Sequence, residues 1–333
     1  MMRKIAVLTS GGDAPGMNAA IRAVVRTAEY YKLEAVGVMR GYHGLVHNEF
    51  IRLHPRSVAD VIQRGGTILK SARSNEFPTP EGQARAVENL NDAGVEGLVI
   101  IGGDGTFRGG MRLHEAGVSV VGVPATIDND ISCTDYSVGF DTTVNTVVDA
   151  ITKIRDTATS HERIYVVEVM GRHSGHIALW AGLAGGAETV LVPEVEADLD
   201  EVCQRIESGY RLGKAHSIVV VAEGVGGNFQ TARNMDESSA FHIGDYVKKK
   251  TGFETRVTVL GHIQRGGNPT AQDRIMASRL GAEAVELLEK GYSGHMVGMV
   301  HAKIKATPFD EALKQQKQVD LDFYRLSHIL ASQ

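Results

Sequence analysis

Short apolar runs alternate along this chain with longer stretches whose apolar residues recur at helical spacing. Residues 5–9 form a run that ends at Ser10-Gly11-Gly12. Beyond it, Met17, Ala20, Ile21, Val24, Val25 and Ala28 mark one face of a helix, with Arg22 and Arg26 on the opposite face. Residues 35–39 then read as a strand. The beat returns at 98–101, which ends in a glycine cluster followed by a helical pattern from about Phe107, and at the buried run 118–123. Val144, Val147, Val148, Ile151 and Ile154 line one face of a long helix. Residues 164–169, 190–192, 218–222 and 257–260 are further β-rich runs. Strand–helix–strand alternation of this kind predicts α/β lobes, two of them, each a doubly wound and mostly parallel sheet. Residues 226–239 carry no such pattern and read as a long surface loop. Sheets of this type bind ligands beyond the carboxyl ends of their strands. Polar residues follow strands repeatedly here: Asp104, Asp128, Gly171-Arg172, Glu223, then His262 and Arg265. That recurrence points to one shared site.

Composition narrows the class. With 333 residues, 43% apolar and 23% charged, the chain is that of a folded protein of about two domains, not a disordered one. No apolar run is long enough to cross a membrane as a helix. A net charge of −5 argues against nucleic acid or anionic lipid as partner. Two cysteines, Cys133 and Cys203, make neither a disulfide framework nor a zinc quartet, so a reducing compartment is expected. The apolar run near the N-terminus is too short for a secretory signal, and a cytoplasmic location is expected. Glycine is abundant, 38 against 8 prolines, and it clusters beside strand ends, where backbone can approach a ligand closely.

Familiar catalytic motifs are missing. No phosphate-binding P-loop, dinucleotide fingerprint, nucleophile elbow or zinc-protease motif is present. What stands out is Gly102-Gly103-Asp104-Gly105-Thr106. Backbone N–H groups at a helix N-terminus attract phosphate, glycines let it come close, and Asp104 is placed to hold Mg²⁺ beside it. Thr126-Ile127-Asp128-Asn129-Asp130 adds two carboxylates just past a strand. Phosphoryl transfer to an alcohol needs a carboxylate near the hydroxyl, which Asp128 supplies, while Asp130 can orient groups or support the metal. Arg163, Arg172, Arg256, His262 and Arg265 form a set of cations suited to a substrate that already carries phosphate. On the residues alone a kinase acting on another alcohol, such as NAD or a lipid, stays open. So does a sugar-phosphate-binding subunit without chemistry.

Taken together, these stretches resemble the bacterial ATP-dependent 6-phosphofructokinases. The matching segments are LTSGGDAPGMNAAIRAVVR, GYHGL, RGGT, SAR, VIIGGDGT, TIDND, SHER, VEVMGR, AEGV and ETRVTVLGHIQRGGNPT, in the family's order from residue 5 to about 300. The resemblance implies two three-layer αβα lobes with the active site in the cleft between them. It places residues 1–139 plus about 264–313 in a larger ATP-binding lobe, and 140–263 plus about 314–333 in a smaller sugar-phosphate lobe. Gly12, Arg73, Ser74, Gly103, Asp104, Gly105 and Thr106 are expected around Mg-ATP. Asp128 is expected to take the proton from the sugar 1-hydroxyl, with Thr126 and Arg172 as its catalytic companions. Met170, Gly171 and Glu223 are expected on the sugar, and His262 and Arg265 on its 6-phosphate. Arg163 and Arg256 are expected to reach in from a neighbouring subunit, which implies a homotetramer.

Two positions bear on the phosphoryl donor. Gly105 stands where pyrophosphate-using relatives carry an aspartate, and Ala125 where they carry a lysine, so ATP is expected. An effector pocket for ADP or phosphoenolpyruvate is implied at Arg22, Arg26, Arg155, Gly186, Glu188 and Lys214. Pro55, Ala59, Leu212 and Ala215 replace an arginine, a serine and two lysines usual there, so a blunted effector response is expected.

Overall fold

The computed structural model describes residues 2–228 and 238–331. Among them are eleven strands: β1 (Lys4–Thr9), β2 (Glu34–Val38), β3 (Phe50–Leu53), β4 (Gly97–Gly102), β5 (Val120–Pro124), β6 (Ile164–Val169), β7 (Thr189–Leu191), β8 (Ser217–Ala222), β9 (Thr255–Val259), β10 (His295–Val300) and β11 (Lys303–Pro308). The chain divides into two units. The larger holds residues 1–127, 131–142 and 265–317, and the smaller holds 128–130, 143–264 and 318–333.

The larger unit is built on a seven-stranded sheet in the order β11-β10-β5-β4-β1-β2-β3. Its central strands pair in parallel, and β4 is buried along its whole length. That is why these segments read as unbroken apolar runs rather than alternating ones. Two edge strands, β3 and β11, run antiparallel to their neighbours. Leu8, Leu98, Ile100, Phe107 and Phe309 are fully or almost fully buried members of one core cluster. Chain connections leave β1 toward β2 and leave β4 toward β5, on opposite sides. The crevice beyond β1 and β4 is therefore the place where such a sheet accepts a ligand.

The smaller unit has a four-stranded, wholly parallel sheet in the order β7-β8-β6-β9. Strand β8 is buried throughout. The carboxyl ends of β8, β6 and β9 lie in a row and lead into Glu223, into Met170-Gly171-Arg172 and into the 3₁₀ turn Gly261–Arg265.

Two departures from the sequence reading concern boundaries. The helix expected from about Phe107 begins at Asp104 and runs to Glu115. The carbonyl of Gly103 accepts from the N–H groups of both Thr106 and Phe107, at 3.0 and 3.1 Å, so the first turn closes three residues early. The loop expected over 226–239 is trimmed at both ends, by a 3₁₀ turn Glu223–Asn228 and by the helix Ser239–Thr251. Residues 229–237, the middle of that expected loop, lie outside the described residues.

Candidate active site

In the larger unit three adjacent strand ends carry residues expected at the nucleotide and, at Thr126, beside the reacting groups. β1 runs into Ser10-Gly11-Gly12, β4 into Gly103-Asp104, and β5 into Ala125-Thr126. The turn after β4 is held from below. Thr106, almost fully buried, donates its hydroxyl to the carbonyl of Ser10 at 3.1 Å, and Tyr42 donates its phenol to the carbonyl of Thr106 at 2.6 Å. A side chain at Gly102 would put its Cβ 2.4 Å from that same Ser10 carbonyl, so only glycine lets the two strand ends approach. Gly105 is the opposite case. It is exposed, and a Cβ there would meet nothing within 4 Å. Packing does not require glycine at 105, and the bare first turn of a helix faces open space there.

Asp104 sits in that first turn, with its side chain 36% exposed. Arg108 one turn on donates to its two oxygens at 2.8 and 3.4 Å. Gly103 lies against Thr126, whose Cβ is 3.6 Å from where a glycine Cβ would stand. The segment carrying Arg73 and Ser74 is tied to the β1 end, since Ser71 donates to the Gly11 carbonyl at 2.6 Å and Thr9 to the Lys70 carbonyl at 2.9 Å. Arg265 also comes to this corner. Its guanidinium lies so close to Gly12 that a Cβ there would stand 2.1 Å from Nη1. Gly12, Arg73, Ser74, Gly103, Asp104, Gly105, Thr106, Thr126 and Arg265 thus all belong to the larger unit.

In the smaller unit the expected sugar-phosphate residues gather around two internal acceptors. Arg172 has a left-handed backbone, φ 56°, and donates its N–H to Glu223 Oε1 at 2.6 Å. Strain of this kind in a non-glycine residue persists only where neighbours impose it. Met170 donates its N–H to Gln264 Oε1 at 3.2 Å, which ties the end of β6 to the turn that bears His262. The Asp128 carbonyl accepts from Ser174 at 3.1 Å, next to that same strand end. At the opposite, amino ends of β6 and β9, Glu254 holds two arginines. It pairs with Arg163 at 3.0 Å and also with Arg256. The hydrogen bond from Arg163 is the main cause that holds the Glu254 carboxyl below its ordinary range and raises Arg163 in turn.

A phosphofructokinase family model matches residues 4–288. An ATP-dependent 6-phosphofructokinase of Halothermothrix orenii is 58% identical over 331 residues, 99% of this chain and all of that protein. The enzyme of the same description from Brevibacillus brevis is 55% identical over 330 residues, again covering 99% and 100%. The chain belongs to the phosphofructokinase family. Among solved structures, a phosphofructokinase from Saccharomyces cerevisiae is 34% identical with a TM-score of 0.85. The match covers 94% of this chain and 45% of the yeast chain. A pyrophosphate-dependent phosphofructokinase from Marinobacter aquaeolei shares the fold at a TM-score of 0.85 and 21% identity, with 100% and 92% covered.

The residues that the family resemblance assigns to an effector divide between the units. Arg155, Gly186, Glu188 and Lys214 come together in the smaller one. Arg155 donates to the carbonyls of Gly185 and Gly186 at 2.7 and 2.6 Å, and Glu188 pairs with Lys214 at 2.7 Å. Arg22 and Arg26 stand on the helix Met17–Tyr30 of the larger unit. Arg22 is half-buried, and burial, then the charge of Arg26, lowers its pKa.

Several supporting residues in this phosphofructokinase escaped the sequence reading. Gln264, fully buried, accepts from Met170 through its side chain and from the Thr143 hydroxyl through its carbonyl. Asp273, also fully buried, accepts from the N–H of Gly139 and the N–H and hydroxyl of Thr142 at 2.5–2.8 Å. Glu254 was readable in principle. Glu254 immediately precedes β9 and Arg256 is its second residue, and alternate residues of an extended chain share a face.

Proposed function

We propose that this chain transfers the γ-phosphoryl group of Mg-ATP to the 1-hydroxyl of fructose 6-phosphate, giving fructose 1,6-bisphosphate and ADP. The observation that carries the reading is the bare helix start at Gly103–Thr106, with Asp104 in its first turn and open space in front of Gly105. The N–H groups of that turn and the end of the helix dipole suit the phosphates of a nucleotide. A side chain at 105 would fill the same space, which supports ATP over a donor chemistry that places a second acid there.

Magnesium fits the donor set. Among the described residues no cluster of three or more His, Cys, Asp or Glu side chains could hold a metal on its own. Mg²⁺ is commonly held by one or two carboxylates plus substrate phosphates and water, and the partly exposed Asp104 offers one such hard oxygen donor. When bound, Mg²⁺ neutralises charge on the phosphates being separated. Asp104 would hold the ion in place of its bond to Arg108, which would leave Arg108 free to meet a phosphate oxygen.

The protein's own part is positioning and charge. Asp128 takes the proton of the 1-hydroxyl as that oxygen attacks, and Thr126 and Arg172 orient the groups that react. Met170, Gly171 and Glu223 hold the sugar. His262 and Arg265 take its 6-phosphate. Arg163 and Arg256 add charge from a neighbouring subunit of a homotetramer, as the family resemblance suggests. Gly12, Arg73 and Ser74 complete the nucleotide side. Arg22, Arg26, Arg155, Gly186, Glu188 and Lys214 serve a weakened effector pocket. No helix among the described residues is long and apolar enough to cross a membrane, and the reading places the enzyme in the cytoplasm. A coupled assay with ATP and fructose 6-phosphate tests it. Turnover with pyrophosphate but not ATP, or with another alcohol but not fructose 6-phosphate, overturns it.

A further inference from the structure

The loop that leaves β6, residues 171–175, is held at both ends by carboxylates from other strands of its sheet. Glu223, just past β8, accepts the N–H of Arg172 at 2.6 Å. Glu194, three residues past β7, accepts the N–H of Gly175 at 2.9 Å through Oε1. Glu223 is assigned to the sugar, whereas Glu194 has no part in the reaction as proposed. Between the two holds the loop has little freedom. Ser174 donates its N–H to the Gly171 carbonyl at 2.8 Å, and Gly171 has a φ of 137°. The Arg172 carbonyl lies 2.4 Å from where a Cβ at Gly224 would stand, and a Cβ at Gly175 would stand 2.4 Å from that of Val192. Ser174, buried, passes the position on. Its hydroxyl accepts from the His176 N–H at 3.3 Å and donates to the Asp128 carbonyl at 3.1 Å. All these residues belong to the smaller unit.

We propose that Glu194 is a positioning residue for the phosphoryl transfer, fixing the Asp128 backbone through Gly175 and Ser174. This role rests on the reading of Asp128 as the base. Glu194 is poorly arranged for stability alone. Its Oε2 is buried and finds no partner among the described residues. Burial raises its carboxyl pKa against the pull of the Gly175 N–H. A side chain that served packing only would gain by losing that second oxygen, because buried polar atoms are seldom left unpaired. What Glu194 supplies is one acceptor at one place. An amide offers the same acceptor and puts its NH₂ where Oε2 already lacks a partner. A carboxylate near the start of the helix His176–Ala184 also suits the helix dipole, so catalysis and stability need separate readouts.

A double-mutant cycle in the full chain, read by steady-state kinetics and by amide hydrogen exchange, tests the role. Glu194→Ala should lower kcat at least about tenfold and leave KM for ATP within about twofold, since a base misplaced by about 1 Å is costly. Glu194→Gln should keep kcat within about threefold. In an Asp128→Asn background Glu194→Ala should cost less than about threefold, because the group it positions is already gone. Exchange in the peptide spanning 170–179, followed by mass spectrometry, should quicken in Glu194→Ala and stay at the parent rate in Glu194→Gln. Ser174→Ala breaks the link to Asp128 while leaving Glu194 in place, and it should repeat the loss of kcat and the cycle if Glu194→Ala does not fold. The same tenfold loss in both backgrounds, or an equal loss in Glu194→Gln, overturns the positioning role. Unchanged exchange in Glu194→Ala shows that Glu194 does not hold the loop and overturns it too. If Asp128→Asn alone leaves kcat unchanged, the reading of Asp128 as base fails, a result distinct from a failed cycle.

Discussion

At the carboxyl ends of β1 and β4 the larger unit presents backbone, whereas at the ends of β6, β8 and β9 the smaller unit presents side chains that are already engaged. Gly105 has nothing in front of it, and the helix that starts at Asp104 has no side-chain cap. At the carboxyl ends in the smaller unit the side chains of Glu223 and Gln264 are held by the backbone N–H groups of Arg172 and Met170, while at the amino ends of β6 and β9 Arg163 and Arg256 are paired with Glu254. The difference has an energetic meaning. A backbone site preorganised by packing needs little rearrangement to accept phosphate. A cation paired inside its own unit must exchange one partner for another, so part of the gain from phosphate is offset by the bond given up. The same contrast extends to the struts beneath. Asp273 in the larger unit is a buried carboxylate, while Gln264 in the smaller one is a buried neutral amide.

The largest expected effect tests whether the engaged residues of the smaller unit carry chemistry as well as charge. Asp128→Asn should lower kcat by about 10²–10⁴, with little change in KM for ATP. Steady-state kinetics in both substrates measure it. An unchanged kcat would leave Asp128 as a turn residue whose carbonyl serves Ser174, and the proton would need another base.

The bare face of the larger unit is challenged by filling it. Gly105→Asp introduces a carboxylate where no protein atom stands within 4 Å of the new Cβ. Its position in a helix first turn should keep Tm unchanged or raise it slightly. ATP turnover should fall, with kcat/KM for ATP reduced about 10²-fold by like-charge repulsion with the phosphates. A variant equally stable and equally active would show that phosphate does not approach this turn.

Both halves of this contrast were unequally legible in the sequence. The GGDGT turn announces itself, because glycine beside a strand end has few other uses, and β1, β4 and β5 are continuous apolar runs. The start of the helix at Asp104 was less visible, since its first turn is stabilised by a carbonyl of Gly103 and by Thr106, not by apolar spacing. The edge strand β3 was missed because it is only four residues long and half-exposed, and the edge strand β11 because lysines and a proline break up its few apolar residues. Gln264 and Asp273 were hidden for a different reason. Their partners lie 94 and more than 130 residues away, and no local pattern encodes a distant hydrogen bond. The family resemblance assigned Arg163 and Arg256 a destination. It carried no information on where they rest inside their own unit.

The struts separate by pH. Burial pushes the Asp273 carboxyl from an ordinary value of 3.8 up to about 6, against the pull of the hydrogen bonds donated by Thr142 and Gly139. Between those two values the folded form holds a proton that the unfolded form has lost. The contribution of this group to stability is therefore fully present below about pH 4 and is lost as pH rises through about 6. Asp273→Asn should cost about 1–3 kcal/mol near neutral pH, since an amide offers one acceptor where several donors converge. It should also flatten that part of the Tm profile between pH 4 and 6. Gln264→Glu, by contrast, should create a pH dependence where none existed. Thermal unfolding at a series of pH values decides both, and parallel profiles for Asp273→Asn and the parent chain would remove Asp273 from this role.

The smallest effect concerns the exchange of partners itself. Glu254 is 47% exposed and faces both arginines assigned to the sugar phosphate. Glu254→Gln keeps the shape and removes the charge that holds them. If the pair bonds compete with phosphate, KM for fructose 6-phosphate should fall about twofold to fivefold, the scale of exposed ion pairs, while kcat stays constant. The gain should shrink as salt rises, because salt screens the original pair. A rise in KM instead would mean that Glu254 aims the two guanidinium groups and that the smaller unit is as preorganised as the larger. Arg163→Lys distinguishes the two accounts further. A lysine keeps the charge and loses the planar fork, so it should be tolerated if the residue is only a released cation, and it should raise KM if paired N–H donors must meet phosphate oxygens two at a time.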